Sequence, residues 1–191
     1  MTYKNFTIET DADGIALVTW DMPDKSMNVF TVEVMDEIEK ILDQTVADDG
    51  IKGVVFTSGK SSFSGGADLT MIKGMFSMLE EEKAKDPAAA VQKLFDAAGR
   101  MTWLWRKIET NGKPWVSAIN GTCMGGAFEL SLACHGRVAS NDKSVKLALP
   151  DPLEPGNVAV IVVLPVASAV ATPRLPAALL IVATAAADDD Q

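Results

Sequence analysis

GVVFTSGKSSFSGGADL, residues 53–69, and PWVSAINGTCMGGAFELSLAC, residues 114–134, share one plan: a short apolar run of strand length leads into a Gly-rich turn. In the second, the residues after the turn have helix-forming composition. A Gly-rich turn entering a helix aims backbone N–H groups at a bound oxygen, and the helix N-terminus adds partial positive charge. Alone, either segment is more often an ordinary turn.

Outward from these segments the chain alternates strand and helix. NFTIET and GIALVTW, on either side of Asp11, Ala12, Asp13 and Gly14, have the form of a β-hairpin. In TVEVMDEIEKILDQTVADDG the residues Val34, Met35, Ile38, Ile41, Leu42 and Val46 recur on one helical face, with Gly50 past the end. Asp86 and Pro87 open a second helix whose face is expected to hold Val91, Leu94, Phe95, Ala98, Met101, Leu104 and Ile108, closed by Asn111 and Gly112. GRVAS and VKLAL read as short strands. The fold class is α/β, with a mostly parallel sheet or several small ones backed by helices.

The 191 residues change character near Pro150. Arg174 is the only basic residue beyond it, and the last stretch is rich in Ala, Val, Leu and Pro without a steady period. Residues 1–150 are therefore read as one domain and residues 151–191 as an irregular apolar tail. A membrane span is not expected there, because Pro165, Pro173, Arg174 and Pro176 interrupt a run that needs about 20 apolar residues. The formal charge of -9 argues against a nucleic-acid partner. Cys123 and Cys134 sit in no CxxC or Cys/His cluster, so neither a disulfide framework nor a metal site is expected, and a reducing compartment fits. The N-terminus lacks the layout of a signal or transit peptide, which makes the cytoplasm the default location. No GxGxxG follows a strand, so no NAD site is expected.

Taken together, FSGGADL at 63–69 and INGTCMGGAFEL at 119–130 resemble the paired signature of the crotonase (enoyl-CoA hydratase/isomerase) superfamily. The resemblance runs from KSMNVF at 25–30 through both turns to ELSLACHGRVAS and KLALP. It implies a crotonase-like ββα spiral core that binds an acyl-CoA thioester and needs no separate cofactor, CoA entering with the substrate. By motif, the backbone N–H groups of Ala67 and Gly126 would form the oxyanion hole, with Gly65, Gly66 and Gly125 permitting the tight backbone path. Lys25, Ser26 and Met27 match the segment lining the CoA groove. Gly66, Asp68, Leu69 and Gly125 fall in the substrate-binding signature.

Glu129 matches one of the two hydratase glutamates. It lies three residues past Gly126, about one helical turn. At the position of the second stands Asp151. The step from Glu129 to Asp151 resembles that of the multifunctional fatty-acid oxidation α-subunits, and ACHGRVAS points the same way. An aspartate reaches about 1.5 Å less than a glutamate, and a displacement of about 1 Å can cost a hundredfold in rate. Beyond Asp151 the resemblance ends: the closing and assembly helices and the 3-hydroxyacyl-CoA dehydrogenase part of the α-subunits are not expected, and the tail is read as a frameshifted or disordered end. Homo-oligomers are common in the family, but the helices that mediate them would be missing.

Three functions follow as expectations: an enoyl-CoA hydratase of fatty-acid β-oxidation, an isomerase working through Glu129, and an inactive remnant that binds acyl-CoA. His135, the single histidine, is expected to be structural. Trp103, Trp105 and the methionines of MIKGMFSM serve either an acyl pocket or the core.

Overall fold

The computed structural model describes residues 2–150 and 158–161. Strands β1 (Phe6–Thr10) and β2 (Ile15–Trp20) form the antiparallel hairpin expected around Gly14, with Phe6 opposite Trp20 and Thr10 opposite Ala16. Gly14 turns the chain at φ 84°, a conformation that costs glycine little. Next come α1 (Val32–Ala47), β3 (Gly53–Ser58), α2 (Leu69–Lys83), α3 (Pro87–Thr110), β4 (Trp115–Ile119), β5 (Cys123–Met124), α4 (Gly126–Ala133), β6 (Gly136–Ala139), β7 (Leu147–Pro150) and β8 (Val158–Ile161).

One sheet has the order β1-β2-β3-β4-β6, and every pairing after the hairpin is parallel. Its register aligns the buried side chains. Ala16, Val18 and Trp20 face Val54, Phe56 and Ser58, and Val54 and Phe56 in turn face Trp115 and Ser117. A slip of one residue would turn this whole set outward, which is why the register is well specified. A second sheet, β5-β7-β8, pairs β7 with β5 in parallel and with β8 antiparallel. Sequence reading assigned no element beyond Pro150; within that stretch, Val158–Ile161 pair with β7.

α1 starts at Thr31, whose side chain accepts from Val34 N at 3.2 Å. Its inner face carries Val34, Met35, Ile38, Ile41 and Leu42 as expected. The expectation for Val46 is corrected: it is solvent-exposed, and Thr45 is buried in its place. The Thr45 hydroxyl makes this possible by donating to Leu42 O at 3.0 Å, so no polar atom is stranded. Buried Glu37 is likewise satisfied, accepting from Lys4 N at 2.8 Å, Asn5 N at 3.1 Å and Asn5 Nδ2 at 3.0 Å.

α3 begins at Pro87 with Asp86 as its cap, accepting from Ala88 N and Ala89 N, and ends at Asn111 as expected. Its face is only partly as expected. Leu104 and Ile108 are buried, but Val91, Leu94 and Phe95 are exposed, because this half of α3 packs against α2 rather than on the sheet. α2 was not anticipated, and none of its side chains is buried. An aromatic cluster fills the core: Phe6 stacks on Trp20 (5.8 Å), Trp20 meets Phe30 (4.8 Å), and Phe56 contacts both Phe63 (6.1 Å) and Trp115 (6.3 Å). Phe30 and Phe63 thereby anchor the two ends of the chain segments that build the site.

Candidate active site

Phe63–Ala67 crosses the molecule between two other stretches of backbone. On one side Phe30 N donates to Gly66 O at 2.8 Å and Asp68 N to Phe30 O at 2.9 Å, the bonds of a parallel bridge between Phe30 and Ala67. On the other side Ser64 N donates to Thr122 O and Met124 N to Ser64 O, each at 3.0 Å, bridging Ser64 to Cys123. The two Gly-rich segments are thus neighbours in space.

Gly66 sits at φ 87°, and a Cβ placed on it would meet Met124 O at 2.8 Å and Gly125 Cα at 3.7 Å. Only a glycine allows both that dihedral and that approach. Gly125 is at φ 50°. The two dihedrals fit the expectation of a tight path. Gly65 differs, for its φ is not left-handed; its constraint is Met27, whose Sδ would lie 2.8 Å from an added Cβ.

The peptide geometry fixes where the next N–H groups point. Gly66 C=O is taken by Phe30 N, and in a planar trans peptide the Ala67 N–H must face the opposite way, away from the Phe30 strand. Gly125 O accepts from Phe128 N at 2.9 Å and Glu129 N at 3.0 Å, so the Gly126 N–H, at the first position of α4, points out of the helix N-terminus. Among the described residues neither N–H has a hydrogen-bond acceptor. Gly125 N donates to Ala148 O at 2.8 Å, which ties the turn to β7. Two free backbone donors at adjacent Gly-rich turns, one of them at a helix N-terminus, suit an oxygen on which negative charge develops.

Glu129 lies in the first turn of α4, half-buried between buried Phe128 and Leu130, and its carboxylate has no ion-pair or hydrogen-bond partner among the described residues. It follows Gly126 by three residues and so shares its side of the helix. α4 is held against β4 by two buried hydroxyls: Ser131 Oγ lies 2.9 Å from Ser117 Oγ and also donates to Ala127 O at 2.9 Å. Asp151 lies outside the described residues; it directly follows β7.

Asp68 caps α2, accepting from Thr70 N at 2.8 Å and Met71 N at 3.1 Å, and pairs with Lys25 Nζ at 3.3 Å. The Met71 N–H bond and then the Lys25 ammonium hold its carboxyl below the usual aspartate range. Lys25 and Ser26 are exposed, Met27 lies over Gly65, and Leu69 opens α2 on the surface. The structure therefore brings Lys25 and Met27 beside the turn that carries Gly66, Ala67 and Asp68, with Gly125, Gly126 and Glu129 on the other.

Trp105 joins the core edge-on to Phe30 at 5.3 Å, whereas Trp103 is exposed. Sequence reasoning did not single out Met101 as a site residue: a Cβ on Gly126 would meet its Cε at 2.5 Å, so Met101 packs directly against Gly126 from α3. Asn28 and Ser64, both fully buried beside the first turn, were also missed. His135 Nδ1 accepts from Trp115 N at 3.2 Å, the structural role expected of it. Cys123 and Cys134 are free and buried, and desolvation pushes both thiols up to about 12. Among the described residues no cluster of His, Cys, Asp and Glu could hold a metal ion, and no helix is long and apolar enough to cross a membrane.

The sequence profile of the enoyl-CoA hydratase/isomerase family matches residues 10–154. Two curated relatives are the fatty acid oxidation complex subunit alpha of Idiomarina loihiensis, 39% identical over 149 residues, and that of Shewanella frigidimarina, 40% identical over 149 residues. Each alignment covers 78% of this chain and 19% of the relative, so the chain spans about a fifth of their length. Among solved structures, an enoyl-CoA hydratase/isomerase (crotonase) from Legionella pneumophila superposes with a TM-score of 0.61 at 24% identity, covering 78% of this chain and 51% of that one. An enoyl-CoA hydratase from Bacillus anthracis gives 0.59 at 26% identity, covering 76% and 50%. With the matched profile spanning both Gly-rich turns and the relatives aligned through them, the chain belongs to the enoyl-CoA hydratase/isomerase family and has its crotonase-like α/β fold.

Proposed function

We propose that this chain acts as an enoyl-CoA hydratase of fatty-acid β-oxidation, adding water reversibly to a trans-2-enoyl-CoA. The observation that carries the proposal is the pair of N–H groups of Ala67 and Gly126 on adjacent turns, without acceptors among the described residues, with Glu129 one helical turn beyond. In this reading the thioester oxygen accepts from both N–H groups. Glu129 takes a proton from water, whose oxygen bonds to the β-carbon. The π electrons of the double bond move into the thioester, and the resulting enolate is held by the two donors. A proton then returns to the α-carbon from the second acid, assigned to Asp151. Donors fixed before the charge appears need no reorganisation, and loss of one costs about 3 to 4 kcal/mol.

Lys25 is placed at a CoA phosphate, exchanging its exposed pairing with Asp68 for a stronger anion, while Ser26, Met27, Asp68 and Leu69 border the bound substrate. CoA arrives as part of the substrate, and no separate cofactor is assigned. Isomerisation of a 3-enoyl-CoA is the second reading. It is favoured by Glu129 being the only ionisable residue of α4, since isomerisation needs one mobile proton and one enolate site.

The test is loss of the enoyl absorbance band of crotonyl-CoA on adding the purified chain. Loss proportional to enzyme supports the hydratase. No loss above background at high enzyme concentration refutes it, and formation of 2-enoyl-CoA from a 3-enoyl-CoA under the same conditions assigns the isomerase. Binding of crotonyl-CoA without either conversion marks the chain as a remnant.

A further inference from the structure

Beside the Ala67 donor lies a buried hydroxyl that the proposed chemistry does not use. Ser64 Oγ donates to Asn28 O at 2.9 Å and accepts from Gly66 N at 3.1 Å. Its acceptor is itself held fast. Asn28 donates from Nδ2 to Trp20 O at 2.8 Å and to Ser58 Oγ at 2.9 Å, and its Oδ1 accepts from Met22 N at 3.0 Å. Gly65 N donates to the same Asn28 carbonyl at 2.9 Å.

Gly66 is consequently held at both of its peptide groups. Its C=O is fixed by Phe30 N, and its N–H by Ser64 Oγ. A glycine adopts φ of either sign with similar ease, so the value of 87° is not imposed by the residue itself. If the N–H is released, the Gly66–Ala67 peptide is held by Phe30 N alone, and rotation about φ can then change the aim of the Ala67 N–H.

We propose that Ser64 is a positioning residue: by bridging Asn28 O and Gly66 N, its hydroxyl fixes the backbone of Gly66 and with it the aim of the Ala67 N–H at the thioester oxygen. This rests on the acyl-CoA reading of the site. A serine that merely satisfied buried backbone groups would affect stability on removal but not the polarisation of a bound carbonyl, and that difference is measurable.

The probe is 4-(dimethylamino)cinnamoyl-CoA, a donor–acceptor chromophore whose absorption moves to longer wavelength as its thioester carbonyl is polarised. Bound to the full wild-type chain it shows a red shift. In Ser64→Ala the probe binds with Kd within about threefold of wild type, while the shift at saturation falls to less than about half. Ser64→Cys, with a weaker donor and acceptor in the same place, gives an intermediate shift; it carries the test if circular dichroism shows the alanine variant unfolded. A wild-type shift in folded Ser64→Ala overturns the positioning role and leaves the acyl-CoA reading intact. Failure of the wild-type chain to bind the probe overturns both, and loss of fold in both variants assigns Ser64 to stability and overturns the positioning role alone.

Discussion

Replacing Gly66 with alanine tests the site's geometry with a single methyl group. At φ 87° an L-residue is strained by about 1–2 kcal/mol relative to glycine. The methyl also lies 2.8 Å from Met124 O, a backbone atom that cannot swing away, and ordinary contact begins at 3.4 Å. The two turns must then separate by about 0.6 Å, and since about 1 Å of misplacement can cost a hundredfold, kcat is expected to fall on the order of tenfold. Gly112→Ala is the control: its φ is 86°, but nothing lies within 4 Å of the added methyl. Both variants should lose similar stability from strain in urea unfolding, with an extra loss for Gly66→Ala, and only Gly66→Ala should slow crotonyl-CoA hydration under conditions where both are folded. Equal activity in the two variants, or a slower Gly112→Ala, would refute the argument that the closeness of the turns matters to the donors.

Glu129→Gln should lower turnover on the order of a hundredfold or more while leaving crotonyl-CoA binding by calorimetry nearly unchanged, since the amide keeps the shape and loses the proton transfer. The Asp68 carboxyl has its folded pKa below the ordinary 3.8, so the stability it contributes is present above that value and is lost as pH falls through the lower folded value. Thermal midpoints of wild type should thus drop more steeply than those of Asp68→Asn below the ordinary aspartate range, and parallel curves would remove Asp68 from the acid response. Both cysteine thiols should react with an aromatic disulfide reagent only after denaturant is added, because burial keeps them protonated at neutral and mildly alkaline pH. Rapid labelling of the native chain would contradict their placement.

Much of the fold was legible because burial and period agree. α1 could be read from its apolar face, and the hairpin from Asp11–Gly14, since local chemistry decides both. Thr45 escaped notice because a threonine enters a core only when its hydroxyl finds a carbonyl, and that partner, Leu42 O, is visible only once the helix is built. α2 escaped because its apolar residues spread around the helix without one buried face, with Gly74 in the middle. The exposed half of α3 follows from the same cause, its neighbour being α2.

The candidate site was proposed from its glycines and Glu129, which carry the family signature. The Asn28–Ser64 network was not legible, because it depends on main-chain acceptors of Trp20, Phe63 and Asn28 itself that no residue pattern encodes. Met101 reaches Gly126 from another helix and leaves no local trace either.

The bridge between Ser64 and Cys123 also bears on how the site comes into being. Its two segments are far apart in sequence, and parallel pairing of β3 with β4 must bring them together across α2 and α3 before Thr122 O can receive Phe63 N and Ser64 N. Such long-range contacts can form only after the intervening loop has been closed, which slows their formation. The hairpin and α1 draw on contacts close in sequence, so refolding monitored by secondary structure should run ahead of recovery of crotonyl-CoA binding, which needs the two turns together.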